Sequence, residues 1–136
     1  MTAAEFFHHV VTRNYKYCCA NPRDWSALWS AIVSMNTVAE HIALERAGYA
    51  PIEREKLECQ ANDIRSKTQN LTALKLCAES LKHGRKIRDR CKKFLLTAIS
   101  SGINPEDQTT WTIHEFDLKE LVQKALTELE TFPELQ

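Results

Sequence analysis

Five histidines provide this sequence with side chains suited to metal binding. Glu5 and His8 are three residues apart, and His41 and Glu45 are four apart, so each pair lies on one helical face. Di-iron carboxylate bundles bind metal through such pairs, but they need two Glu-x-x-His copies, and this chain has one. We therefore predict no metal and no other cofactor. The alternative is a metal-dependent helical-bundle enzyme with the ligands Glu5, His8, His41 and Glu45.

Nucleophilic chemistry would have to use one of five cysteines, of which Cys18 and Cys19 are adjacent. His8 and His9 lie two to three turns away on the same predicted helix, beyond hydrogen-bond reach. Without a CxxC pair, we expect the cysteines to be reduced and structural. The three glycines are far apart, which excludes the glycine-rich phosphate loop, the dinucleotide fingerprint and the Gly-x-Ser-x-Gly elbow.

A net charge of zero hides two opposed blocks. Residues 82–93, the basic segment, hold seven cations against one acid, and residues 105–136 hold eight acids against two lysines. In one interpretation the blocks neutralise each other as exposed ion pairs, each of little energy. In the other, the basic segment binds an anionic partner, either nucleic acid or an acidic protein. Its predicted binding residues are Lys82, Arg85, Lys86, Arg88, Arg90, Lys92 and Lys93.

Helices must position these side chains, because the intervals between the few glycines and prolines carry apolar residues at three- and four-residue spacing. The predicted helices cover residues 2–20, 22–47, 53–67, 70–83 and 117–132. Thr2 with Glu5, Asn21, Asn70 and Asp117 are the expected caps. Residues 85–100 either continue as helix or follow a break at the preceding glycine, and residues 109–114 alternate as in a short extended segment.

The second predicted helix carries two kinds of side chain that are unusual on an apolar face. Trp25 and Trp29 are four residues apart and are expected in the core, with a ligand or partner groove as the alternative. Asn36 on this helix and Asn14 on the first interrupt apolar faces. Because a buried amide needs a partner, the two asparagines could hydrogen-bond each other and fix the helix register, with a ligand role as the alternative.

Five amphipathic segments with short connections predict an all-α antiparallel bundle of four to five helices. The chain of 136 residues has the size of one domain, so we expect residues 1–136 to form a single core. A composition of 43% hydrophobic and 26% charged residues excludes wholesale disorder. The sequence shows no bilayer-length apolar run and no secretion signal, so we expect no membrane partner and a cytoplasmic location.

Three stretches of the sequence carry a family resemblance. They are EFFHHVV at residues 5–11 followed by Asn14 and Ala20-Asn21-Pro22, ALWSAIVSMNTVA at 27–39, and LTALKLCAESLKH at 71–83. With them, residues 4–84 look like a group of uncharacterised bacterial helical proteins whose layout is similar to HEPN-type domains. The resemblance implies a short helical bundle that forms dimers, found with toxin-antitoxin and phage-defence systems, whose active members are ribonucleases.

Active HEPN ribonucleases carry an arginine, four to six residues of any kind, and then a histidine, and no arginine here has a histidine at that distance. The matching positions hold Lys75 and Leu81, with His83 ending the stretch. Since a base and a cation must both reach one phosphate, we predict a non-catalytic interaction module that forms a homodimer. The alternative is a HEPN-like RNA-directed ribonuclease or toxin-antitoxin component with His83, Lys75 and Glu79 as catalytic residues.

Overall fold

The structure, a computed structural model, describes residues 1–83, 96–99, 110–113 and 116–136. The helices in these residues are α1 Ala3–Phe6, α2 Thr12–Ala20, α3 Trp25–Arg46, α4 Arg54–Arg65, α5 Gln69–His83 and α6 Leu118–Leu129. A π-helical turn, Phe7–Val11, joins α1 to α2, and a 3-10 turn, Pro133–Leu135, follows α6. Because α1, the π-helical turn and α2 form one continuous rod, the described residues contain five helical rods. The prediction of an all-α bundle of four to five helices is therefore confirmed.

Side chains at the helix starts explain most of the boundaries. Thr2 accepts from the Glu5 amide at 3.1 Å while the Glu5 carboxylate accepts from the Thr2 amide at 2.8 Å, which is the predicted capping box. The prediction that Asn21 caps α3 is wrong, since the helix begins at Trp25 and not at Pro22. Asp24 caps it by accepting from the amides of Ser26 and Ala27. A carboxylate at this position binds two free amides and suits the positive helix end.

The helix α5 also begins differently from the prediction. Thr68 accepts from the Leu71 amide at 3.3 Å, so the predicted cap Asn70 lies inside the helix. Asn70 instead donates to the Glu128 carboxylate of α6 at 2.7 Å. For α6, the predicted cap Asp117 is confirmed, because its carboxylate accepts from the amides of Lys119 and Glu120.

The helix α3 packs against α2, α4, α5 and α6, and its buried residues join one core cluster. Leu28, Ile32 and Met35 on α3 are among the largest fully buried side chains, as are Leu74 on α5 and Leu118 on α6. The helical spacing of apolar residues therefore places these side chains in one shared core. None of the described helices combines the length and the apolar character that crossing a bilayer requires.

The predicted hydrogen bond between Asn14 and Asn36 is wrong. Asn14 donates to the carbonyl of Ser30 at 3.4 Å. The backbone carbonyl of Asn36 accepts from Arg65, and its side-chain Oδ1 has no partner among the described residues. Asn14 therefore contacts the backbone of α3, whereas Asn36 contacts Arg65 of α4 through its own backbone.

A three-stranded antiparallel sheet with the order β1-β2-β3 accompanies the bundle, and β2 and β3 lie beside α6. Its strands are β1 Leu96–Ile99, β2 Thr110–Ile113 and β3 Phe116–Asp117. The strand β2 confirms the extended segment predicted at 109–114, whereas a helix reaching residue 100 is wrong over 96–99. Pairing with β2 overrides the helical spacing there, because a short apolar run fits either structure. Residues 85–95 and Ser100 of that predicted helix lie outside the described residues.

Candidate functional site

A cleft of about 770 Å³ opens between α3, α4 and α5. Its apolar lining comes from Trp29 and Val33 of α3, Leu57 of α4 and Ala78 of α5. The volume lies in the range of roughly 300–1,000 Å³ that is usual for small-ligand sites. Trp29 therefore lines the cleft, which supports the alternative interpretation of this residue, while Trp25 packs against the core.

The charged lining of this α3–α5 cleft is balanced. It consists of the cations Arg54, Arg65 and Lys75 and the carboxylates Glu40, Glu58 and Glu79. Lys75 and Glu79 are one turn apart on α5, with Nζ 3.6 Å from Oε1. Three cations against three acids leave no formal charge, so the cleft itself does not select strongly for anions or for cations.

Arg65 is the buried cation of the cleft, with only 3% of its surface exposed. Its Nη1 donates to Asn62 Oδ1 and its Nη2 to the Asn36 carbonyl, both at 2.8 Å. Glu40 Oε1 lies 3.6 Å from Nη2, which is ion-pair distance and too long for a strong hydrogen bond. Burial lowers the pKa of Arg65, and neighbouring carboxylates, Glu40 foremost, oppose that shift. An arginine remains protonated in either case.

Two polar atoms in the wall of the cleft lack hydrogen-bond partners among the described residues. They are Arg65 Nε and Asn36 Oδ1, each with less than 1 Å² of accessible surface. A sealed and unpartnered polar atom costs about 1–3 kcal/mol. The polar wall of the cleft is therefore not satisfied by the protein's own described groups.

Sequence reasoning missed Arg65 because α4 is rich in charged residues, which usually face solvent. One signal could have found it: Arg65 follows Ala61 by four residues, and Ala61 is fully buried. Arg65 thus occupies the apolar stripe of α4, where it meets the polar positions Asn36 and Glu40 of α3. A cation on such a stripe is the feature that separates this site from an ordinary solvated helix face.

The structure brings together two of the three alternative catalytic residues. Lys75 and Glu79 both line the cleft, and His83 is the last residue of α5, four positions after Glu79. Of the predicted basic segment, Lys82 lies in α5, and its other binding residues are outside the described part of the chain.

The alternative metal ligands of α1 and the π-helical turn have other partners. Glu5 closes the capping box with Thr2. His8 Nε2 lies 3.1 Å from the carbonyl of Leu135, which ties the first rod to the final 3-10 turn. Both side chains therefore hold local structure together.

The alternative ligands on α3 are engaged in packing as well. The His41 ring stacks on Phe6 with centroids 4.0 Å apart, and Glu45 Oε2 accepts from the Ala3 amide at 3.1 Å. These contacts fasten α1 to α3. Within the ranges that the structure describes, no three His, Cys, Asp or Glu side chains are grouped as a metal site.

Four of the five cysteines lie in the described residues, and all four are free thiols, as the sequence analysis predicted. Burial raises the pKa of Cys77 to about 12, and burial is also the main cause of the raised pKa of Cys18. Thiols with raised pKa values are poor nucleophiles at neutral pH. These two cysteines therefore fit the structural role.

Comparison with protein families, with curated proteins and with solved structures gives no match to this chain. The site is consequently interpreted from its own chemistry. That chemistry consists of an open cleft lined in part by the Trp29 indole, balanced charge, and two buried polar atoms without partners among the described residues.

Proposed function

We propose that this chain is a non-catalytic interaction module that binds an anionic partner through the basic segment and the adjoining α3–α5 cleft. The observation that supports it is the position of α5. This helix lines the cleft with Lys75 and Glu79 and continues to Lys82, where the basic segment begins. Seven residues of helix span about 10 Å, so one extended partner reaches both.

The partner that these features favour is a single-stranded nucleic acid. Seven cations within residues 82–93 provide attraction for phosphates, and Trp29 brings to the cleft an aromatic side chain of the kind on which bases stack. An acidic protein would use the cations but has no need of the indole wall. The resemblance to HEPN-type domains adds a homodimer to this proposal, and we keep the expected cytoplasmic location as part of it.

The test is binding of a fluorescently labelled oligouridylate, measured by anisotropy at several salt concentrations. In the test variant, four cations of the basic segment become glutamine: Arg85, Lys86, Arg88 and Arg90. Because each phosphate contact contributes about 0.7 to the slope of log affinity against log salt, we expect the slope to fall by up to about 3. A matched control replaces four exposed cations elsewhere, Arg13, Lys16, Lys56 and Lys67, and should retain the slope.

Equal slopes in the two variants would overturn the role of the basic segment. No oligouridylate binding, together with binding of polyglutamate by the wild type alone, would identify an acidic protein as the partner instead. A monomeric mass in light scattering at tens of micromolar protein would contradict the homodimer.

A HEPN-like ribonuclease is the second candidate, because Lys75 and Glu79 do line an open cleft on the helix that ends at His83. It is tested by incubating RNA with the wild type and with His83→Ala. Cleavage that disappears in this variant would replace the non-catalytic proposal. Cleavage that persists unchanged would count as contamination and would leave the non-catalytic proposal standing.

A further inference from the structure

We infer that residues 54–60, the free half of α4, form a movable wall of the α3–α5 cleft, which swings about the anchored end of the helix and closes on the partner. Only the identity of that partner, a single-stranded nucleic acid, rests on the proposed function. The burial pattern of α4, its bonds to other helices and its place in the cleft all point to this motion.

The buried residues of α4 all lie among its last five positions. They are Ala61, Ile64 and Arg65, each at most 3% exposed. None of residues 54–60 is buried, and Leu57 is the apolar side chain among them that packs, half-buried, against the core. Because a segment with few buried contacts moves at a low cost in free energy, the free half of α4 is held weakly.

Hydrogen bonds show the same asymmetry. At the anchored end, Arg65 donates to the Asn36 carbonyl of α3 at 2.8 Å, and the Arg65 carbonyl accepts from the Thr72 hydroxyl of α5 at 3.1 Å. Within the described part of the chain, no side chain of residues 54–60 forms a hydrogen bond or an ion pair with α3 or α5. Residues 51–53, which lead into the helix, form none there either. The helix α4 is therefore fastened at one end.

The free half supplies the α4 wall of the cleft. Arg54, Leu57 and Glu58 line the cleft together with Trp29 of α3 and Ala78 of α5. The walls from α3 and α5 belong to helices with buried residues over much of their length, so these walls are fixed. The cleft of about 770 Å³ lies in the upper part of the range of roughly 300–1,000 Å³ for small-ligand sites, which leaves room for α4 to move inward.

Helix geometry sets the size of the swing. Glu55 lies ten residues before Arg65, which is about 15 Å along the helix axis. A rotation of about 20° about the anchored end therefore moves Glu55 by about 5 Å. Asp63, two residues before Arg65, moves by about 1 Å in the same rotation. Two exposed positions of one helix thus report a large and a small displacement.

The test is a spin-label distance measurement by double electron–electron resonance on the full chain. Lys16→Cys on α2 carries the reference label, and either Glu55→Cys or Asp63→Cys carries the second label. All three positions are exposed and lie outside the cleft lining. Three native cysteines are first replaced by serine so that they take no label: Cys19, Cys59 and Cys91.

The widths of the two distance distributions are the measured quantities. In the free protein, we expect the distribution from Glu55→Cys to be about twice as wide as that from Asp63→Cys, because of the larger displacement at the free half. With saturating oligouridylate, closure should narrow the first distribution to the width of the second. The distribution from Asp63→Cys should be the same with and without oligouridylate.

The matched variants are Leu57→Ala and Leu126→Ala. Both leucines are half-buried and pack against the core, and of the two only Leu57 lines the cleft. Since Leu57 is the apolar contact of the free half, we expect Leu57→Ala to widen the Glu55→Cys distribution of the free protein by about half again. Leu126→Ala, on α6, should leave that width unchanged. Equal effects of the two variants would overturn the role of Leu57.

Equal widths from Glu55→Cys and Asp63→Cys in the free protein would overturn the movable wall, whatever the partner is. A Glu55→Cys distribution that stays broad while oligouridylate is bound would overturn closure on the partner. Failure to bind oligouridylate would overturn the proposed function alone, because the widths in the free protein still decide whether the wall moves.

Discussion

Two polar regions of this molecule differ in how completely their groups are satisfied. At the junction of α1 with α3, the glutamates and histidines that looked like metal ligands cap helices, stack on rings or bond backbone groups. In the α3–α5 cleft, Arg65 is buried with its Nε unpartnered, and Asn36 Oδ1 also has no partner in the described residues. Residue type suggested the first region as a site, whereas the second region is an open cleft whose surroundings include buried polar atoms without described partners.

The largest expected effect concerns Arg65, which joins α4 to α3. Replacement by alanine removes the bonds to Asn36 and Asn62 and leaves a cavity. We expect the free energy of unfolding in urea to fall by about 3 kcal/mol. Arg54→Ala, on the same helix at an exposed position, should change it by less than about 0.5 kcal/mol. Equal losses would remove the distinction between a buried and a solvated arginine.

Asn14 and Asn36 allow a direct comparison between an amide that forms a hydrogen bond and an amide whose oxygen has no described partner. Asn14→Leu breaks a bond to the Ser30 carbonyl, so we expect a loss of about 1 kcal/mol. Asn36→Leu removes an orphan acceptor and is expected to raise stability by up to about 1 kcal/mol. Chemical denaturation measures both, and a destabilising Asn36→Leu would mean that its Oδ1 is satisfied after all.

At the α1 end, Glu45→Ala should cost about 1 kcal/mol, because the Ala3 amide at the start of the first rod loses its acceptor. The thermal midpoint of the wild type should be the same with and without a chelator, since the Glu45 carboxylate bonds the backbone amide of Ala3. A midpoint that falls in chelator for the wild type and not for Glu45→Ala would restore the metal hypothesis.

The smallest effect is a pH dependence at His41. Burial lowers the pKa of His41 below its usual value of 6.5. The Glu40 carboxylate opposes this shift, and repulsion from the N-terminal amine adds to it. The folded state therefore binds fewer protons than the unfolded state as pH falls through 6.5. His41 contributes its full stability above that pH and loses it toward the folded pKa. Between pH 7.5 and 5.5, the wild type should lose more stability than His41→Gln, and parallel curves would refute this.

Local chemistry made much of the bundle predictable. The capping box at Thr2 and Glu5 and the Asp117 cap depend on atoms within a few residues, so sequence spacing reveals them. Local reasoning failed where two residue types that favour the cap position lie close together in sequence. Asn21 and Asp24 are such a pair, and Asp24 is the residue that caps α3. It failed also at β1, whose partner strand begins eleven residues after β1 ends.

The site was less predictable than the fold. Lys75 and Glu79 were identified from the sequence as an alternative, and they do lie in the cleft. Trp29 was identified as a residue that faces either a core or a groove. Only its position four residues after Ala61 distinguishes Arg65 from the exposed Arg54 of the same helix, and its importance depends on which groups of α3 face it.

The sequence alone determined that apolar residues at helical spacing form a bundle, because that pattern acts within each helix. Tertiary structure decided which polar side chains are sealed between helices and which of them find partners. Burial and hydrogen-bond pairing depend on neighbours from distant parts of the chain, as when α3 covers Arg65 of α4. That difference in range is why the fold could be predicted and the cleft could not.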